Sequence, residues 1–280
     1  MTRETVRKIR GFFALSLCTL AACLGIFWLV FILSDVLVKG YKALNWDLIL
    51  NDPTPPSVPG GGLRNAFVGQ LLITGFAALV GIPIGILGGT FLTEYARHTK
   101  FARIINSFAG IMMSIPTIVI GTFIYAALVK PFGHFSGWAG SAALAVIIIP
   151  LVMRTTEDML SLVPANLREA AFALGAPYYK VIFQIVYRKA AYGIMTAILL
   201  SIARVAGEAA PLLFSSFNNS FFNLDMSQPM ASLNVTIYEY ATGPYEEWHN
   251  QAWAASFVVT IFILFLTISG RLLIKLKFKQ

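Results

Sequence analysis

Apolar residues fall into six blocks separated by short polar stretches: Phe12 to Leu33, Ala66 to Thr90, Ile104 to Val129, Trp138 to Met153, Ala191 to Leu213 and Gln251 to Gly270. Most approach or exceed the ~20 residues a helix needs to cross ~30 Å of hydrocarbon, so the pattern predicts an all-α polytopic membrane protein with six transmembrane helices. Trp138 to Met153 is the shortest block, and Pro150 interrupts it. Gly81, Gly85 and Gly89 recur every fourth residue of the second block, which predicts a smooth ridge for close helix packing, kinked at Pro83. Ser114-Ile115-Pro116-Thr117 predicts a similar kink in the third block.

The polar stretches orient the chain. Arg3, Arg7, Lys8 and Arg10 precede the first block, and Arg97, Lys100 and Arg103 lie between the second and third. Arg154, Arg168, Lys180, Arg188 and Lys189 lie between the fourth and fifth, and Arg271, Lys275, Lys277 and Lys279 follow the sixth. Sixteen of the 21 basic residues thus share one side, against four (Lys39, Lys42, Arg64, Lys130) on the other and Arg204 inside a block. Basic excess marks the cytoplasmic face, so both termini are expected there.

On the outer side, Asn51 to Gly62 (NDPTPPSVPGGG) is a Pro/Gly linker that cannot hold a regular element. It sets residues 1–65, a basic tail with the first helix, apart from a five-helix core over 66–280, whose cytoplasmic loop spans 154–190 and outer loop 215–250. The outer loop has no Lys or Arg, carries Asp225, Glu239, Glu246 and Glu247, and is rich in aromatics such as Phe221, Phe222 and Trp248. It reads either as an interfacial anchor or as a docking surface for an external protein.

Composition narrows the class further. At 57% hydrophobic and 12% charged residues, with mean hydropathy +0.73, the chain is excluded from the soluble class, where ~25% charged is usual. The net charge of +8 resides in loops, with no basic stripe interleaved with aromatics, so no nucleic acid is expected as a partner. Cys18 and Cys23, the only cysteines, lie in the first block and supply neither a disulfide framework nor a metal site. Leu20-Ala21-Ala22-Cys23 resembles a lipoprotein cleavage site, yet Gly25 to Leu33 continues apolar directly after it, so an uncleaved helix is expected. There is no phosphate-cradling G-x-x-x-x-G-K-[ST] loop, and His98, His134 and His249 are scattered outside any catalytic spacing. The chain is therefore expected to hold no cofactor and to draw energy from a partner or an ion gradient.

Two constellations carry candidate chemistry. Arg204 and Glu208 lie inside the fifth block, where an unpaired charge costs at least ~2.5–3.5 kcal/mol. At i and i+4 they can neutralise each other, on a small or polar stripe of Ala197, Ser201, Arg204, Glu208 and Pro211. If the helix starts at Ala191, Arg204 lies about 20 Å along it, in the outer half of the bilayer. The pair is either a helix-bracing ion pair or the charge of a permeation route; an ion-coupled secondary transporter would use it as substrate and proton site. The second constellation is Arg154 to Lys189, too polar for lipid but patterned for helices. Pro164 opens one and Gly175 closes it, with Leu167, Ala170, Ala171 and Leu174 on one apolar side and Arg168 and Glu169 at polar positions. Such a small helix can dock in a partner's groove or lie on its own protein.

Glu169-Ala170-Ala171, three residues, Gly175, nine residues and Ile185 resembles the EAA loop of bacterial ABC importer permeases, although the closing Leu-Pro of that pattern is here Tyr187 and Arg188. The wider run REAAFALGAP from Arg168, GIMTAILLSIARVAGEAAPLLF from Gly193 to Phe214, and Met226-Ser227-Gln228-Pro229 are similar to phosphate-specific permeases of the PstA type. The resemblance implies a type I importer permease in a bacterial inner membrane. It implies pairing with a second, homologous permease, two ATPase subunits that bind all the ATP and dock at Arg168, Glu169, Ala170, Ala171 and Gly175, and an extracytoplasmic phosphate-binding protein. Arg204, Ser201 and Glu208 would then line or brace the anion's route.

Overall fold

The computed structural model describes residues 3–56, 58 and 60–277. Ser57 and Pro59 of the linker and Lys279 of the basic tail lie outside the described residues, as do the side chains of Lys8, Lys275 and Lys277. The described residues form helices α1 (Arg3–Ala43), α2 (Arg64–Thr90), α3 (Lys100–Ser114), α4 (Thr117–Ile124), α5 (Gly137–Ser161), α6 (Ala165–Ala173), α7 (Tyr187–Ala206), α8 (Leu233–Thr242) and α9 (Glu246–Lys277), joined by single turns and three π segments. No strand occurs among them.

Helix α5 is the axis of the bundle. The expected span from Trp138 to Met153 is longer than the apolar block, because the helix continues through Pro150 to Ser161. Two-thirds of its apolar window is buried, against none for α1. Leu144, Ile148 and Val152 are fully enclosed, and α2, α4 and α7 pack around them. The glycine ridge of α2 makes this possible. A Cβ added at Gly85 would come within 2.7 Å of Val152 Cβ, and one at Gly89 within 2.5 Å of Met153 O, so only hydrogen side chains let the two helices close. Helix α2 itself runs unbroken through Pro83.

The third block is not one straight span. α3 and the helix from Thr117 to Phe132 meet at 103°. Pro116 lacks an N–H and forces Ile115 into extended backbone (φ −69°, ψ 134°), which ends α3 at Ser114. The kink expected at this tetrapeptide is therefore a corner, and the two arms are a broken span or a re-entrant element.

Helix α1 overshoots its apolar block at both ends and leaves most of its surface open. Its C-terminal part lies against α9, where Gly40 meets Phe257 and Trp253 and the Lys39 ammonium sits 4.7 Å from the Trp253 ring centre.

Candidate functional site

The loop over 154–190 folds largely as its punctuation dictates. Pro164 precedes α6, and Gly175 at φ +78° turns the chain out of it, a backbone conformation that glycine adopts without a Cβ clash. Pro177 then opens a turn that passes through a π segment, Val181–Val186, into α7. The expected apolar side of α6 divides. Ala171 is buried and Leu167 half-buried beside Val163 and Val186, whereas Ala170 and Leu174 face outward with Glu169 and Phe172.

Arg168 departs from its expected place among outward polar positions. Its side chain turns inward to the end of α2, where Glu94 is 3% exposed. Nη2 of Arg168 lies 2.7 Å from Glu94 Oε1 and donates also to Leu160 O at 3.0 Å, while Nη1 donates to Val163 O at 2.5 Å. Tyr178 Oη donates to Glu94 O at 2.6 Å, and its ring stacks on Phe172. The burial of a carboxylate demands such a cation and dictates the direction of the arginine. Tyr187, which stands where the EAA pattern has leucine, shares a 2.6 Å hydrogen bond with Thr90 at the end of α2. Sequence reasoning missed Glu94, Tyr178 and Tyr187; the one available signal was a lone carboxylate closing a long apolar block.

The fifth block also ends earlier than expected. α7 stops at Ala206 with Gly207 as its cap, and Pro211, whose ring would clash with the carbonyl four residues back, bars the helix from running on to Leu213. Glu208 therefore lies beyond the helix rather than on its stripe, and Pro211 starts a separate turn packed on Gly121 of α4. The two charges still meet, with Arg204 Nε 3.9 Å from Glu208 Oε1. That is the long limit of an ion pair and leaves most guanidinium donors available, the side chain being 45% exposed. Ser201 is fully buried, and its hydroxyl donates to Ile198 O.

Arg204 closes one end of an open groove of about 510 Å³ between α5 and α7. Leu151, Thr155 and Met159 form one wall, Tyr192, Thr196 and Leu200 the other, and Arg204 is the charged residue in the lining. The helix end carrying it is held from outside: Asn234 Nδ2 donates to Ala206 O at 2.7 Å and to Glu208 O at 3.3 Å, and Gln70 Nε2 to Ala206 O at 3.4 Å. These amides replace the helical partners that the carbonyls lose at the break. Among the described residues, no cluster of three or more His, Cys, Asp or Glu could hold a metal.

Residues 81–277 match the family model described as the inner membrane component of binding-protein-dependent transport systems. The chain belongs to this family. It is 46% identical over 273 residues to the phosphate transport system permease protein PstA of Pasteurella multocida, covering 98% of this chain and 97% of that one. To the protein of the same name from Haemophilus influenzae it is 47% identical, covering 95% and 94%. Among solved structures, the MetNI methionine ABC transporter in an inward-facing conformation aligns with TM-score 0.63 and 19% identity, over 76% of this chain and 94% of that one. A bacterial alginate ABC transporter, solved with an alginate pentasaccharide-bound periplasmic protein, aligns with TM-score 0.61 and 11% identity, over 97% and 95%. At these identities the two structures establish the fold, that of ABC importer permeases. Family and helices together make this a multi-pass inner-membrane protein.

Proposed function

We propose that this chain is a permease subunit of an ATP-driven importer of inorganic phosphate. The observation that carries the reading is near full-length identity with permeases named for phosphate transport, joined to a groove whose lining bears Arg204. A guanidinium in a lining that is otherwise uncharged offers an oxyanion paired donors in a medium where a charge is not easily matched. The groove is open on one side, which suits completion by a second, homologous permease. Two ATPase subunits would dock on the outward face of α6, at Glu169, Ala170 and the Gly175 turn, and an extracytoplasmic binding protein would deliver the anion to the outer loop. ATP would be bound by those partners, and this chain would catalyse nothing and hold no cofactor.

In this arrangement both termini are cytoplasmic, residues 1–65 are a peripheral attachment and 66–280 form the working core, within which the family match falls. Membership in a binding-protein-dependent family favours partner-driven transport over the ion-coupled carrier that Arg204 and Glu208 alone would also fit. The test is Arg204→Gln in the assembled complex. Phosphate uptake should fall at least tenfold while the ATPases still co-purify; wild-type uptake would reduce Arg204 to a structural residue. Glu169→Ala or Gly175→Ala should weaken ATPase co-purification without removing the chain from the membrane.

A further inference from the structure

We propose that Glu94, Arg168 and Tyr178 form a mechanical brace through which motion of the cytoplasmic loop is passed into α2, making Glu94 a positioning residue for transport. This rests on the reading of α6 as the element moved by the ATPases.

Covalently, the loop is continuous only with α5, through Leu162 to Pro164, and with α7, through Pro177 to Val186. Helix α2 is remote from it in sequence. The side chains nevertheless tie the two together at two points, Arg168 Nη2 to Glu94 Oε1 at 2.7 Å and Tyr178 Oη to Glu94 O at 2.6 Å, while Tyr187 Oη to Thr90 Oγ1 at 2.6 Å ties the start of α7 to α2. The ion pair is almost wholly enclosed, at 14% and 3% side-chain exposure, so water neither screens nor replaces it. Arg168 is fixed from behind by the carbonyls of Val163 and Leu160, which leaves it no slack to absorb movement of α6.

The backbone on both sides is irregular. Glu94 sits in a π segment, Phe91–Tyr95, and Val181–Val186 beyond Tyr178 is another. Each inserts about one residue per turn and re-aims the side chains that follow, a feature that recurs at functional sites. What α2 receives it shares with α5, because the Gly81, Gly85 and Gly89 ridge locks the two helices together. α5 forms one wall of the groove and α7, with Arg204, the other. A loop braced to α2 thus moves α2 and α5 as one body, and α7 is tied to that body at its two ends, by Tyr187 to Thr90 and by Gln70 to Ala206 O, so the motion reaches both walls of the groove. Without the brace, α2 would be drawn along only through packing and the Tyr187–Thr90 bond.

The experiment uses the complete complex, with ATPases, second permease and binding protein, in proteoliposomes. Phosphate uptake and ATP hydrolysis are measured together for Glu94→Gln and Tyr178→Phe. The second variant loses one hydroxyl and keeps its ring on Phe172, so it guards against a Glu94 variant that fails to assemble. Expected are wild-type co-purification of the ATPases, hydrolysis within twofold of wild type, and phosphate moved per ATP lowered about tenfold by Glu94→Gln and about threefold by Tyr178→Phe. Uptake and hydrolysis falling in proportion, or neither changing in Tyr178→Phe, would overturn the brace. Failure of the docking reading is separate: it shows as unaltered ATPase co-purification in Glu169→Ala.

Discussion

A carboxylate buried in this protein is met in different ways at its two ends. Glu94, in the π segment that follows α2, is neutralised by Arg168. Glu239, on α8, has no ion-pair partner among the described residues. Burial pushes its carboxyl above the ordinary 4.5, and the hydrogen bond donated by Asn218 opposes the rise without cancelling it. The folded state therefore holds the Glu239 proton more tightly than the unfolded chain does. Stability from this residue is fully present below pH 4.5 and is lost as pH rises through the folded value. Glu239→Gln should accordingly melt at a higher temperature than the wild type at pH 7 in detergent, with the gap closing near pH 4. An equal gap at both values would show that the charge plays no part. Arg204 and Arg168 also show what a residue's sequence position conceals. Both lie in motifs, and the chain pattern offers no hint that one points to a groove and the other into the protein, because that depends on a carboxylate 74 positions away.

At the scale of elements, periodic signals were legible and helix ends were not. The glycine spacing of α2 announced a packing ridge, and the ridge is there against Ile148, Val152 and Met153. The turn residues Pro164, Gly175 and Pro177 placed α6 within a residue at its C-terminal end. By contrast, the apolar block running to Leu213 hid the end of α7 at Ala206, since hydropathy does not register the clash that Pro211 makes with the preceding turn. The corner at Pro116 was readable as a kink but not as 103°; beyond it α4 packs Gly121 against Pro211, a tertiary contact that no local pattern marks. Gly85→Ala should cost about 1–3 kcal/mol of stability, the range for overpacking a filled contact. Gly75→Ala, on the same helix with nothing within 4 Å of the added carbon, should cost nothing. Thermal unfolding of the two variants in one detergent checks this; equal losses would mean that the ridge is not the close contact.

For the whole molecule, the all-α class, five of the six expected spans and the family followed from block lengths and the EAA spacing, because lipid allows the backbone few alternatives, while the third block is bent by 103°. The site was only partly legible. Arg204 and α6 stood out as a charge within a span and a capped helix in a loop, whereas Gln70, Asn234 and Glu94 contribute through tertiary bonds that no local pattern marks. As proposed, this chain is one half of a gate worked from the cytosol by partners. Its most direct test is radiolabelled phosphate uptake into liposomes containing either this chain alone or the chain with second permease, ATPases, binding protein and internal or external ATP as orientation requires. The expected result is uptake only with the full set and only while ATP is hydrolysed. Saturable uptake by the chain alone, driven by a proton or sodium gradient, would contradict it.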